Sequence, residues 1–155
     1  MTNTRLTSIG LKTMIDNGED VSNVDVSGIT DLSYMFHSCD NMSDVSKWDV
    51  SNATTMEGMF YNSKNVSDLS KWDTSKVTNM SYMFYNCRDN LSDISGWDVS
   101  NVKKMDGMFT YSKQRSNLDN WNIKAEAVDR YTLWDSYYVG TPPLWYDTYK
   151  KLNRL

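Results

Sequence analysis

Cysteine, histidine and proline are almost missing from this 155-residue chain, which holds 2 Cys, 1 His and 2 Pro. With His37 as the single histidine there is no Cys/His set at zinc spacing and no nucleophile–base constellation. Neither a phosphate-cradling G-x-x-x-x-G-K-[ST] nor a dinucleotide-binding G-x-G-x-x-G occurs. The chain therefore reads as a non-enzyme that needs no cofactor. Long apolar runs are missing as well: nothing approaches the roughly 18 residues of a membrane helix. The opening M-T-N-T-R-L-T-S-I-G-L has no apolar leader, and the closing Y-K-K-L-N-R-L carries no lipidation box. The expectation is a protein that stays in the cytoplasm or is carried with a phage particle.

Positive charge is in slight deficit. A net charge of −4 and a pI near 4.9 disfavour nucleic acid or an anionic membrane as partner. The imbalance is mild for a nucleic-acid mimic, which stays a third-rank reading. What the chain does have is aromatic and thioether mass: hydrophobic residues make up 39%, and 10 Met, 6 Trp and 10 Tyr supply much of it. Such a core is built from rings and sulfur rather than from aliphatic side chains.

The rings are periodic. W-D-V-S-N-A-T-T-M-E-G-M-F (48–60), W-D-T-S-K-V-T-N-M-S-Y-M-F (72–84) and W-D-V-S-N-V-K-K-M-D-G-M-F (97–109) are three writings of one unit. V-D-V-S-G-I-T-D-L-S-Y-M-F (24–36) is a fourth that lacks only the Trp. Phe36, Phe60, Phe84 and Phe109 are 24, 24 and 25 residues apart, and Asp25, Asp49, Asp73 and Asp98 keep step. A fixed period of this size marks a solenoid. The extra residue falls in C-R-D-N-L (87–91), as a loop insertion.

Within a turn, Met80, Met83 and Phe84 stand at i, i+3 and i+4, the face of a short helix. Thr78 or Asn79, and Thr30 or Asp31 in the first turn, suit its N-cap. Leu69-Ser70-Lys71-Trp72 and Ile94-Ser95-Gly96-Trp97 alternate as a short extended strand would, and parallel strands stack about 4.8 Å apart. The expected fold class is an α/β solenoid of four to five turns, each a short strand and a short helix. Residues 1–23 form an N-terminal helical cap, with Ile9 or Leu11, Met14 and Ile15 on one face ending at Gly18. Residues 24–121 are the repeats, and residues 122–155 a degenerate last turn and an aromatic C-terminal cap.

The unit W-D-V-S-N-V-x-x-M-x-x-M-F, followed by F-x-x-C or F-x-x-S and L-S-D-L-S-x-W, resembles the BspA-like leucine-rich repeat of bacterial surface proteins over about residues 24–121. The resemblance implies a right-handed coil of the leucine-rich-repeat type and a role in macromolecular contact. Long relatives of that kind act in adhesion, and short copies occur in phage and mobile-element proteins.

The candidate sites follow from the columns. Asp25, Asp49, Asp73 and Asp98 would lie in register and need a cation or local hydrogen bonds. D-x-S offers the second as an Asx turn, and this is preferred to calcium, which wants six to eight oxygens. Asp44, Asp68 and Asp93, with Ser46, Ser70, Ser95, Lys47 and Lys71, would face outward on the strand that the resemblance places along the inner face, as a partner surface or a plain solvated one. Cys39 and Cys87 are two turns apart, near 10 Å if stacked, too far for a disulfide that needs about 7 Å. Tyr34, Gly58, Tyr82 and Gly107 alternate, so each Tyr would lie over a Gly; Tyr34, Tyr82 and Tyr85 could form a partly exposed stripe. His37 shares its position with Tyr61, Tyr85 and Thr110, a mixed slot that reads as patternless surface. The tail cluster of Trp134, Tyr137, Tyr138, Trp145 and Tyr146, held extended by Pro142-Pro143, is a cap or a contact surface. A protein partner is expected, a glycan is the alternative, and no membrane insertion is foreseen.

Overall fold

A computed structural model of the chain describes residues 6–89, 91–113, 116–124, 127, 132 and 143. Helix α1 spans Ser8–Asp16. Thr7 caps it by accepting the N–H of Gly10 at 3.1 Å. Gly18, at φ +73°, closes it: its N–H reaches the carbonyl of Ile15 and that of Glu19 reaches Met14. This is a Schellman closure, which needs a residue free to turn left-handed. Leu11 is the buried residue of α1, with Met14 and Ile15 packed at the core's edge. Of the two alternatives for the buried face, Ile9 is the wrong one, at 81% exposed. The hydroxyl of Ser8 donates to the carbonyl of Asp31 at 2.7 Å, tying α1 to the first coil.

Beyond α1 the described chain is a stack of coils that repeats without regular helix or strand. Parallel bridges join Asp31 to Thr55, Thr55 to Asn79 and Asn79 to Lys104, in steps of the sequence period. From each bridge a ladder runs along the coil. The N–H groups of Met80, Tyr82, Phe84 and Asn86 donate to the carbonyls of Lys104, Asp106, Met108 and Thr110 on the next coil, at 2.8 to 3.0 Å. Between these rungs, Met83, Tyr85 and Cys87 donate three residues back to Met80, Tyr82 and Phe84. Alternate N–H groups thus serve the neighbouring coil and a local tight turn.

This overturns the short helix expected in each repeat. Left-handed φ values recur at Tyr34, Gly58, Tyr82 and Gly107, and again at Ser38, Asn62, Asn86 and Tyr111. A residue so placed every fourth position stops a helix before it starts. The N-cap expectation is half met: Asp31 accepts the N–H of Ser33 and Asn79 that of Ser81, both at 2.9 Å, but turns follow, not a helix. The expected strand at residues 69–72 is likewise a turn, closed by Trp72 N–H on the carbonyl of Leu69 at 3.1 Å. Asp68 drives it by accepting the N–H of Ser70, an arrangement that competes with strand pairing.

Inside, the columns are real. Phe36, Phe60, Phe84 and Phe109 stack with centroids 5.6 to 5.9 Å apart and planes within 7° of parallel. Each also meets a tryptophan, from Phe36–Trp48 at 5.6 Å to Phe109–Trp121 at 6.2 Å. Met35, Met59, Met83 and Met108 complete the interior beside them, all buried. Each of the four described tryptophans is also a strut. Trp48, Trp72, Trp97 and Trp121 donate their indole N–H to the carbonyls of Val21, Val45, Leu69 and Ile94 in the preceding coil. At the far end, Phe109 N–H finds the carbonyl of Thr132, one period after Met108, so the ladder continues past the last full repeat. Among the described residues no helix is long and apolar enough to cross a membrane.

Candidate functional site: an exposed aromatic face

The turn-and-ladder segment has a buried side and an open side. Its Met and Phe side chains turn inward, and the left-handed Tyr34, Tyr82 and Tyr111 turn outward. Tyr34, Tyr82 and Tyr111 are 40%, 39% and 37% exposed. The outer rings form a continuous column: His37 stacks on Tyr61 at 5.1 Å and Tyr61 on Tyr85 at 4.6 Å, with planes 18° and 6° apart. Tyr111 meets Tyr85 edge-on at 5.6 Å, while Tyr34 and Tyr82 lie 6.2 Å from His37 and Tyr85. Six rings therefore share one face.

The expected stripe of Tyr34, Tyr82 and Tyr85 is brought together, and it is longer than the sequence reading allowed. The slot shared by His37, Tyr61 and Tyr85 is not patternless; three successive coils place stacked rings there. The signal lay in the period itself, which aligns three rings in one column.

Tyr34 and Tyr82 owe their positions to glycine. A Cβ on Gly58 would sit 2.2 Å from the Tyr34 ring, and one on Gly107 would sit 2.8 Å from Tyr82. Each ring lies against the glycine of the next coil, as the Tyr–Gly alternation predicts. Each also holds a left-handed φ, 54° and 57°, that costs a bulky residue energy. Burial, and then the bond from its hydroxyl to Glu57 Oε1 at 2.9 Å, raise the Tyr34 phenol above its ordinary range. Burial does the same for Tyr85, reinforced by Tyr61.

Both aspartate columns are Asx turns. Asp25, Asp49, Asp73 and Asp98 accept the N–H groups of Ser27, Ser51, Ser75 and Ser100 at 2.9 to 3.0 Å. Asp44, Asp68 and Asp93 accept those of Ser46, Ser70 and Ser95 at 3.0 Å. Hydrogen bonds from the serine two residues on hold Asp44, Asp49, Asp68, Asp73, Asp93 and Asp98 below the usual carboxylate range. Lys47 and Lys71 are exposed beside them, and Ser46, Ser70 and Ser95 half-buried. Among the described residues no three His, Cys, Asp or Glu side chains converge on a common point.

The two thiols are free. Cys87 is buried, donates to the carbonyl of Phe60 at 2.9 Å, and is pushed up to about 12 by burial. Ser63, one coil earlier, makes the same bond to the carbonyl of Phe36. Cys39 is half-buried.

A family model described as "Mycoplasma protein of unknown function, DUF285" matches residues 9–121. The chain belongs to this family. Neither the curated proteins nor the solved structures contain a match. The DUF285 stretch begins within α1 and ends at Trp121, so all six rings of the aromatic face lie inside it. Tyr137 and Tyr138, the tail candidates, lie outside both this stretch and the described residues, as do Trp134, Trp145 and Tyr146.

Proposed function

We propose that this DUF285 chain is a non-enzymatic scaffold that binds a partner protein through its aromatic face, and that its coil is a variant of the BspA-like leucine-rich repeat. The observation that carries the reading is the stacked column His37–Tyr61–Tyr85–Tyr111, half-buried at Tyr61 and Tyr85, flanked by the exposed Tyr34 and Tyr82. Monomeric proteins seldom expose contiguous apolar surface without a use for it, and tyrosine is favoured at interfaces. The rigid ladder beneath lowers the entropy that binding must supply. The aspartate columns favour a solvated, turn-forming role, because their carboxylates already serve backbone N–H groups. That weakens the nucleic-acid-mimic reading. A second reading, adhesion to a host protein or glycan from a cell surface or phage particle, is favoured by the repeat's resemblance to surface proteins.

The test is affinity capture from native cell lysate with the wild type and the Tyr34→Gly/Tyr82→Gly variant, read by mass spectrometry. A protein retained by the wild type and lost by the variant supports the reading. Equal retention by both moves binding to another face. Retention of no protein removes the reading.

A further inference from the structure

A recess apart from the aromatic face lies where the end of α1 meets the first coil. It holds about 390 Å³, within the roughly 300–1,000 Å³ of ligand pockets. Ile15, Phe36 and Met42 give it an apolar floor, and the exposed Glu19, Asp20 and Asn41 stand at its rim.

The repeat explains why the recess exists. In the second coil the Ser63 hydroxyl donates to the carbonyl of Phe36, and the Asn65 amide donates to that of Asp40 at 3.2 Å, both in the preceding coil. Cys39 and Asn41 stand one period before Ser63 and Asn65. The counterparts of their acceptors, Lys12 and Asp16, belong to helix α1 instead of a coil. Cys39 and Asn41 both line the recess, and among the described residues neither the thiol nor the side-chain amide makes a hydrogen bond. Elsewhere in the stack such donors meet a main-chain carbonyl, and here they meet a gap.

The charge around the gap has one sign. Among the described residues no lysine or arginine lines it; Lys64, beside Asn65, pairs with Asp40, and Lys12 of α1 pairs with Asp16. The N–H and then the hydroxyl of Ser22 hold Asp20 below the usual carboxylate range, so it is ionised at neutral pH. The closing end of α1 adds the negative pole of its dipole. Glu19 Oε1 already accepts the Asn17 amide at 3.5 Å, and Asp20 Oδ1 the Ser22 N–H at 2.9 Å. Carboxylates with one oxygen engaged suit the single-point contact of an ammonium over the two-pronged grip of a guanidinium.

We propose that this recess takes a lysine residue from an extended segment of a partner protein. Its stem lies along Phe36 and Met42, its ammonium sits against Glu19 and Asp20, and its main-chain carbonyl accepts from the Asn41 amide. A lysine carries the apolar stem and the charged head that such a floor and rim require. The carbonyl separates a peptide from a free amine, which has no acceptor to offer Asn41.

The test titrates the isotope-labelled full chain with N-acetyl-lysine-N-methylamide and follows backbone amide NMR shifts. Saturable shifts around Gly18, Glu19, Asn41 and Met42 are expected, with a dissociation constant of about 1 mM for so small a probe. The norleucine analogue has the stem without the charge, and pentylamine has the charge without the carbonyl. Each should bind about tenfold more weakly. Glu19→Gln/Asp20→Asn keeps an acceptor for Ser22 and should weaken the lysine probe by about the same factor. Asn41→Ala, which removes no side-chain hydrogen bond among the described residues, should weaken the lysine probe and leave pentylamine unchanged. No saturation at about 10 mM probe, equal binding of the norleucine analogue, pentylamine binding as tightly as the lysine probe, or full affinity in Glu19→Gln/Asp20→Asn would overturn the inference. Tyr34→Gly/Tyr82→Gly should bind the probe as the wild type does, so this site and the aromatic face can fail separately.

Discussion

Trp72 donates its indole N–H to the main-chain carbonyl of Val45 at 3.1 Å, across the boundary between successive coils. Because Trp72 is itself buried against Phe60, one side chain fills the core and closes a backbone acceptor. Trp72→Phe keeps most of the ring and removes one of two donors to that carbonyl, which still accepts the Trp48 N–H at 3.1 Å. The expected loss is about 0.5–1.5 kcal/mol of unfolding free energy by chemical denaturation. A variant with the parent's denaturation midpoint would show that the strut contributes nothing.

Phe84 is sandwiched between Phe60 and Phe109, at 5.6 and 5.9 Å. Phe84→Ala removes a fully buried ring whose neighbours are fixed by hydrogen-bonded coils, so collapse of the cavity is limited. The cost should be about 3–5 kcal/mol. Melting within a degree or two of the parent would mean that the stack is not the core.

The Tyr34–Gly58 pair lends itself to a double-mutant cycle. Gly58→Ala alone places a methyl group inside the Tyr34 ring and should be strongly destabilising. In a Tyr34→Gly background the clash is gone, and only the penalty of φ +56° for a non-glycine residue is left. The two changes should couple by about 0.5–3 kcal/mol, and strict additivity would deny the contact.

Acid should unfold the protein through the Asx turns. The carboxyls of Asp20, Asp44, Asp49, Asp68, Asp73, Asp93 and Asp98 are all lowered in the folded state. Stability from a lowered carboxyl is fully present above its unfolded value, about 3.9, and is lost as pH falls through the folded one. Melting temperature should be flat from neutral pH to about 5 and drop below about 4. Replacing Asp73 by Asn keeps an acceptor for Ser75, as Asn79 does for Ser81, and should remove that position's share of the acid loss. EDTA should leave the melting curve unchanged at neutral pH, since one oxygen of each carboxylate already accepts a backbone N–H and no three such groups converge among the described residues. A drop reversed by calcium would make the columns metal sites.

The period, the columns and the Asx turns were legible because each is written in residue identity at fixed intervals. The D-x-S pairs needed nothing beyond their own few residues to form. Met80-Ser81-Tyr82-Met83-Phe84 reads as a helix because its apolar spacing suits one, while the N–H groups of Met80, Tyr82 and Phe84 run to residues 104–108, outside any local window. The left-handed φ of Tyr82 is invisible in Tyr82 and visible only in Gly58 and Gly107, its counterparts in the same column. Stacking of His37 on Tyr61, and of Tyr61 on Tyr85, escaped for a related reason: the three lie one period apart but differ in identity, and become a surface only when the coils are superposed.

The Tyr–Gly alternation doubles the unit cell of this one-dimensional lattice. Phe and Trp repeat with every coil, but the Tyr34 ring needs Gly58 beneath it, and Tyr82 needs Gly107. Cys39 and Cys87 alternate with Ser63 and Ser112 in the same rhythm. Excising the Gly58 coil would set Tyr34 over Tyr82, whereas excising two adjacent coils keeps tyrosine over glycine. A chain built on this lattice should tolerate a change of length best when coils are lost or gained in pairs.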